Sequence, residues 1–292
     1  MLQYFLVVAQ EGTISAAANR LHITQPTLSR QLGELEEELG TKLFHRGNRK
    51  IALTEEGHLL RKRAKEISEL VHKTYDELHL SDGTVEGDVY IGGGETHGML
   101  LLANTIKDLQ KKYPQIRYHL FSGNADDVKE RLDKGLLDFG ILIEPVDIGK
   151  YESIQLPATD VWGVLMRKDS PLSSQSTIAP KDLWDLPLLI SRQRIASEAM
   201  EKWLKKPYEE MHLVATYNLL YNASLMVEAG IGYALCLDRL INTTGNSNLC
   251  FRPLAPKMEV NLDVVWKKDQ VFSRAATIFK KQLSKNIHSA KP

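Results

Sequence analysis

Gln25, Thr27, Ser29 and Arg30 fall within little more than one helical turn, and their amide, hydroxyl and guanidinium groups suit hydrogen bonds to base edges or phosphates. A basic group follows: Lys42, Arg46, Arg49 and Lys50, with no acid between Lys42 and Lys50, while Glu34, Glu36, Glu37 and Glu38 cluster just upstream. Cations placed apart from carboxylates are what a polyanion requires. A third group is Gly92-Gly93-Gly94-Glu95-Thr96-His97-Gly98. Backbone N–H groups where such a turn opens a helix can hold an anion, and Thr96 and His97 add donors. Glu95 opposes that charge, so a neutral polar ligand is the competing expectation.

Other chemistries find less support. Gly92, Gly94 and Gly98 resemble a loosened dinucleotide fingerprint, but Phe121-Ser122-Gly123 stands where the ribose-binding acid belongs. The sequence has neither a Gly-x-Ser-x-Gly elbow nor His-x-x-x-His metal spacing. Cys236 and Cys250 suit two reduced thiols better than a disulfide framework. No catalytic residue, cofactor or metal is therefore expected.

These side chains need elements to hold them. Leu2, Phe5, Leu6 and Ala9 repeat at helical spacing up to Gly12, a natural stop. Thr13 or Ser15 can cap a second helix carrying Ile14, Ala17, Ala18 and Leu21. Thr24 can cap a third, with Pro26 in its first turn and Leu28, Leu32, Leu35 and Leu39 as its apolar stripe up to Gly40. Three short helices with a tight turn before the last predict a helix-turn-helix, its polar N-terminal face aimed at the major groove. Lys42 to Arg46 and Lys50 to Leu53 read as strands joined at Gly47-Asn48-Arg49, giving a basic wing. Thr54 caps a long helix in which Leu60, Ala64, Ile67, Val71, Thr74 and Leu78 form a coiled-coil seam.

The other residues alternate between strand and helix. Asp88 to Ile91, Ile116 to Phe121, Asp138 to Ile143, Trp162 to Met166, Leu188 to Ser191 and Gly232 to Leu235 read as strands, with helices at Met99 to Tyr113, Val128 to Lys134 and Ala223 to Ala229. That pattern predicts an α/β domain with largely parallel strands. Crossings near Gln155 to Thr159 and Phe251 to Pro256 would divide it into two lobes around a cleft. A chain of 292 residues, 43% hydrophobic, fills more than one core. Its N-terminus lacks a secretory pattern, no apolar run is long enough for a membrane helix, and a cytoplasmic location is expected. Zero formal net charge leaves distribution, not total, as the electrostatic signal.

The run from Ile14 to Leu32, then Leu35-Glu36, Leu39-Gly40, Leu43-Phe44 and Leu53-Thr54-Glu55-Glu56-Gly57, resembles the signature of LysR-type transcriptional regulators. Leu136-Leu137-Asp138-Phe139-Gly140-Ile141 and Val227 to Ala234 resemble motifs of that family's effector-binding domain, itself similar to two-lobed periplasmic solute-binding proteins. The resemblance implies a winged helix-turn-helix head at 1–57, a linker and dimerisation helix at 58–82, and a two-lobed effector domain at 86–292, its lobes being 86–159 with 257–292, and 160–256. It implies double-stranded DNA as a partner, met by Thr24, Gln25, Pro26, Thr27, Ser29 and Arg30, with Arg46, Arg49 and Lys50 on the wing. It implies a small-molecule effector, an anion being the sharper expectation, held by Thr96, His97, Ser122, Gly123, Asn124, Ser191, Arg192 and Asn218. A homodimer pairing into a tetramer is expected, without a membrane partner. An α/β enzyme with an autoregulatory DNA-binding head is the alternative, and a free solute-binding protein a third reading.

Overall fold

The computed structural model describes residues 1–46, 51–78, 85–192 and 198–289. The chain divides into two compact units, Met1–His79 and Leu80–Pro292.

In the first unit, α1 (Leu2–Glu11) ends at Gly12, whose left-handed φ of 70° would strain most other residues. Helix α2 (Ile14–Arg20) is capped by the Thr13 hydroxyl, which accepts the Ala16 N–H. Helix α3 (Gln25–Leu39) is capped in the same way by Thr24 and holds Pro26 where a missing N–H costs nothing. Phe5, Val8, Ala17, Leu28, Leu32 and Leu43 close over one core, with the Phe5 and Phe44 rings 5.3 Å apart. The small Ala17 and Ala18 let α2 approach its neighbours.

Strands β1 (Phe44–Arg46) and β2 (Ile51–Leu53) pair antiparallel, and the Ile51 N–H donates to the Gly12 carbonyl at 2.9 Å. The expected turn at Gly47-Asn48-Arg49 and Lys50 lie outside the described residues, as do the side chains of Arg46 and Leu78. Helix α4 (Glu55–Leu78) starts from Thr54, whose hydroxyl accepts the Gly57 N–H and donates to the Lys42 carbonyl. A Cβ at Gly57 would stand 2.1 Å from the Leu43 carbonyl oxygen, so only glycine permits this approach. Along the predicted seam, Leu60 and Ala64 pack into the head core. Ile67 and Val71 are 46% and 48% exposed, beside exposed Leu70 and Tyr75.

The second unit runs β3 (Gly87–Gly93), α5 (Met99–Lys112), β4 (Ile116–Ser122), α6 (Ala125–Asp133), β5 (Phe139–Ile143), β6 (Tyr151–Arg167), β7 (Leu188–Ser191), α7 (Glu198–Leu204), β8 (Leu213–Tyr217), α8 (Leu220–Glu228), β9 (Tyr233–Leu237), β10 (Leu249–Pro253), β11 (Glu259–Lys267) and α9 (Arg274–Ser289). The strand order is β4-β3-β5-β11-β6-β9-β7-β8, with β10 beside β6. One lobe packs α5 and α9 on one face of its strands through Val89, Leu102, Phe139, Val264 and Phe279, and α6 on the other through Val128 and Leu132. The other lobe does the same around Val164, Leu188 and Leu235, with α8 opposite through Leu220 and Val227.

Strand β6 joins the lobes. Its first part pairs with β11 and its last part with β9 and β10, so the chain crosses at Gln155 to Thr159 without leaving the sheet. The expectation of largely parallel strands needs correction here. Strand β3 is parallel to β4 and β5, and β7 to β8 and β9. Strands β6, β10 and β11 pair antiparallel, because a chain that crosses to the second lobe and returns beside its own path must run the opposite way.

Candidate DNA-reading and effector sites

Helix α3 presents its first turns outward. Leu28 is fully buried and fixes the helix, while Thr24, Gln25, Pro26, Thr27 and Arg30 are exposed and Ser29 is half-buried. The Thr24 and Thr27 hydroxyls pair at 2.8 Å, and Ser15 of α2 donates to the Gln25 amide oxygen at 3.1 Å. Arg30 stands 3.6 Å from Glu34 with its side chain 72% exposed, an ion pair weak enough to release the guanidinium to another acceptor. Amide, hydroxyl and guanidinium groups thus share one solvated face at a capped helix N-terminus.

Glu36 does the opposite of its neighbouring acids. It is buried and accepts from the Leu43 N–H at 2.9 Å and from the Lys42 ammonium at 2.9 Å. Burial works against its charge, but the bonds from Lys42 and Leu43 prevail and hold its pKa below the ordinary carboxylate value. The carboxylate therefore fastens the recognition helix to the first wing strand. It read in the sequence merely as part of an acidic cluster.

In the second unit a small cavity, partly open to solvent, lies between the lobes. Gly94, Glu95, Asn124 and Ile143 line it from the first lobe. Trp162, Ser191, Tyr217 and Asn218 supply aromatic and polar groups from the second, over a wall of Leu220, Cys236, Leu237 and Leu240. The Asn124 amide oxygen accepts the Asp126 and Asp127 N–H groups in a capping box at the start of α6. That bond orients its amide nitrogen as a donor. The Asn218 oxygen accepts the Leu219 N–H at 2.9 Å. Cys236 is buried, which pushes its thiol pKa up, with the Glu95 charge adding to the effect.

Of the eight expected effector residues, Asn124, Ser191 and Asn218 meet in this lining. Thr96, His97, Ser122, Gly123 and Arg192 stand outside it. Thr96 is buried, donating its hydroxyl proton to Asp160 of β6 and accepting the Gly98 N–H at 3.0 Å. His97 is half-buried and its backbone N–H also serves Asp160. Asp160 is 1% exposed, with Arg239 at 3.4 Å, and burial raises its pKa. The glycine-rich turn thus anchors one lobe to the crossing strand.

Glu95, whose charge opposes an anion at this turn, faces the cavity. Its carboxylate reaches across the cavity and accepts the N–H of Leu220, the first residue of α8 in the other lobe. A carboxylate at a helix N-terminus is favourably placed, and here it takes the Leu220 N–H, one donor that an entering anion would seek. Trp162 was read only as part of a strand and Tyr217 not at all, because a cavity assembled from remote segments has no spacing rule.

Residues 1–58 match the family model described as "Bacterial regulatory helix-turn-helix protein, lysR family", and residues 82–287 match "LysR substrate binding domain". The chain is similar to the "Uncharacterized HTH-type transcriptional regulator YvbU" of Bacillus subtilis (strain 168), 27% identical over 80% of this chain and 79% of that one. Its fold is similar to the crystal structure of CbnR, a LysR family transcriptional regulator, with a TM-score of 0.76 at 19% identity over 98% of each chain. The full-length CbnR structure complexed with its target DNA gives a TM-score of 0.74 at 19% identity, again over 98% of each chain.

Proposed function

The chain belongs to the LysR family, as a DNA-binding transcriptional regulator with an effector-binding domain, and from that premise we propose how it reads DNA and where it senses its effector. The solvated N-terminal face of α3 is the observation that carries the reading. Gln25, Pro26, Thr27, Ser29 and Arg30 enter the major groove, with Thr24 positioning the helix start against phosphate. Arg46, Arg49 and Lys50 grip the backbone from the wing.

The exposed apolar stripe of Ile67, Leu70, Val71 and Tyr75 on α4 supports a dimer paired through this helix. Exposed Leu100 of α5, Leu120 of β4, and Tyr221 and Leu225 of α8 support a second pairing that joins dimers into tetramers. The effector occupies the cavity between the lobes, in contact with Asn124, Ser191 and Asn218, and acts by favouring one arrangement of the lobes over another. The protein works in the cytoplasm and without catalysis. Its two cysteines are buried thiols whose pKa values burial raises.

Selection of bound sequences from a random DNA pool by the full chain tests this. Two inverted half-sites about one or more helical turns apart are expected, since a two-fold protein asks for two-fold DNA. A pool without an enriched motif would overturn the reading.

A further inference from the structure

Helices α2, α3 and α6 begin on caps drawn from the residue just before them: the Thr13 and Thr24 hydroxyls and the Asn124 amide oxygen accept N–H groups of the first turn. Helix α8 is built otherwise. Its N-cap residue is Leu219, whose side chain makes no capping bond, and the neighbouring Asn218 oxygen accepts the Leu219 N–H. The acceptor for the Leu220 N–H comes from the other lobe, as Glu95 Oε2. Glu95 and Leu220 both line the cavity, so this bond stands inside the space between the lobes. The turn that carries Glu95 is fixed on its other side, where the Thr96 hydroxyl and the His97 backbone N–H donate to Asp160. Arg239 of the second lobe holds the same place, reaching Asp160 at 3.4 Å and the Thr159 carbonyl at 3.1 Å. Both lobes are therefore tied at the crossing strand, and a change in their angle is taken up across the cavity, where Glu95 meets α8.

We propose that Glu95 is an interlobe latch: by capping α8 from the first lobe, it holds the two lobes in the bridged arrangement without an effector. Breaking the bond leaves a helix-start N–H without its acceptor, an effect comparable to losing an ordinary N-cap. Water serves that N–H once the lobes part, so the latch biases the arrangement and does not lock it. An effector moves the lobes only by its differential affinity for the two arrangements. The strength of the latch therefore sets the difference in affinity that an effector must supply. This regulatory meaning rests on reading the cleft as the effector site, whereas the bond itself does not, and a measurement without effector separates the two.

The test is the distance between spin labels on the two lobes of the full chain, placed by Lys281→Cys on α9 and Lys181→Cys ahead of β7, both at exposed positions. Cys236 and Cys250 are buried, which keeps the labels off the native thiols. Labelled chains are diluted into unlabelled ones, so that pulsed dipolar spectroscopy reads distances within one chain, and no effector is added. The parent should give one dominant distance. Glu95→Ala is expected to raise the population of a second distance about fivefold, the equilibrium equivalent of one lost helix cap. Glu95→Gln, which keeps an oxygen for the Leu220 N–H, should stay with the parent. If Glu95→Ala fails to fold, Leu220→Pro removes the donor at a first helical position, where proline is tolerated, and carries the same expectation. Distances unchanged by Glu95→Ala would overturn the latch and leave the cleft as the effector site. Glu95→Gln displaced as far as Glu95→Ala would overturn it too, because the cap is the acceptor oxygen and not the charge. An effector located outside the cavity would overturn the reading of the cleft alone.

Discussion

Glu36 and Glu95 are the same residue put to contrasting use. In the head, Glu36 is turned inward to the Leu43 N–H and Lys42, so that the neighbouring polar face of α3 is left to solvent. In the effector domain, Glu95 stands in the cavity itself and accepts from the opposite lobe. The head is therefore a rigid element with its chemistry outside, and the effector domain a divided one with its chemistry enclosed. The contrast teaches that a carboxylate near a functional surface is informative only once its hydrogen-bond partner is known.

The contrast breaks most severely if the head loses its core. Phe5→Ala removes a fully buried ring packed on Phe44 and is expected to destabilise the head by about 3–5 kcal/mol. DNA binding should fail in an electrophoretic assay, while near-UV circular dichroism and binding at the cleft report an intact effector domain. Loss of the cleft along with the head would mean that the two units do not fold independently.

A smaller effect is expected behind the cavity. Thr96→Ala deprives the buried Asp160 carboxyl of a hydroxyl donor and should cost the effector domain about 1–3 kcal/mol, read as a fall in its urea midpoint. An unchanged midpoint would return Thr96 to the role of a ligand contact.

Glu36→Gln sharpens the comparison through pH. The folded pKa of Glu36 lies below its ordinary 4.5, so its stabilisation is complete above about that pH and is lost as pH falls through the folded value. The substitution should cost the head about 1–2 kcal/mol at neutral pH, and the difference from the parent should shrink on acidification. A difference independent of pH between 7 and 3 would show that the charge contributes nothing.

The head was legible from sequence because its signals are local. Thr13, Thr24 and Thr54 cap the helices that follow them, and Gly12 and Gly40 end the helices that precede them. The inward role of Glu36 was not legible, since its partners come from the next element. In the effector domain the strand and helix alternation marked β3 to β5, the last part of β6, β7 and β9, but β8, β10, β11, α7 and α9 were not singled out. Strand β11 mixes Val260, Leu262, Val264 and Val265 with Asn261 and Asp263, and its direction follows from pairing with β6, over ninety residues away. Asn124, Ser191 and Asn218 were named through family resemblance and do line the cavity, whereas the Glu95 contact to α8 spans 125 residues and has no sequence signature.

The most direct test of the central claim, that the exposed face of α3 reads base sequence, is the binding of Arg30→Ala to the selected site and to a panel of its single-base variants across a salt series. The parent should discriminate at each half-site position, and Arg30→Ala should lose about 1–3 kcal/mol of discrimination at one base pair per half-site while other positions keep theirs. Discrimination equal to the parent's at every position, whatever the overall affinity, would contradict it.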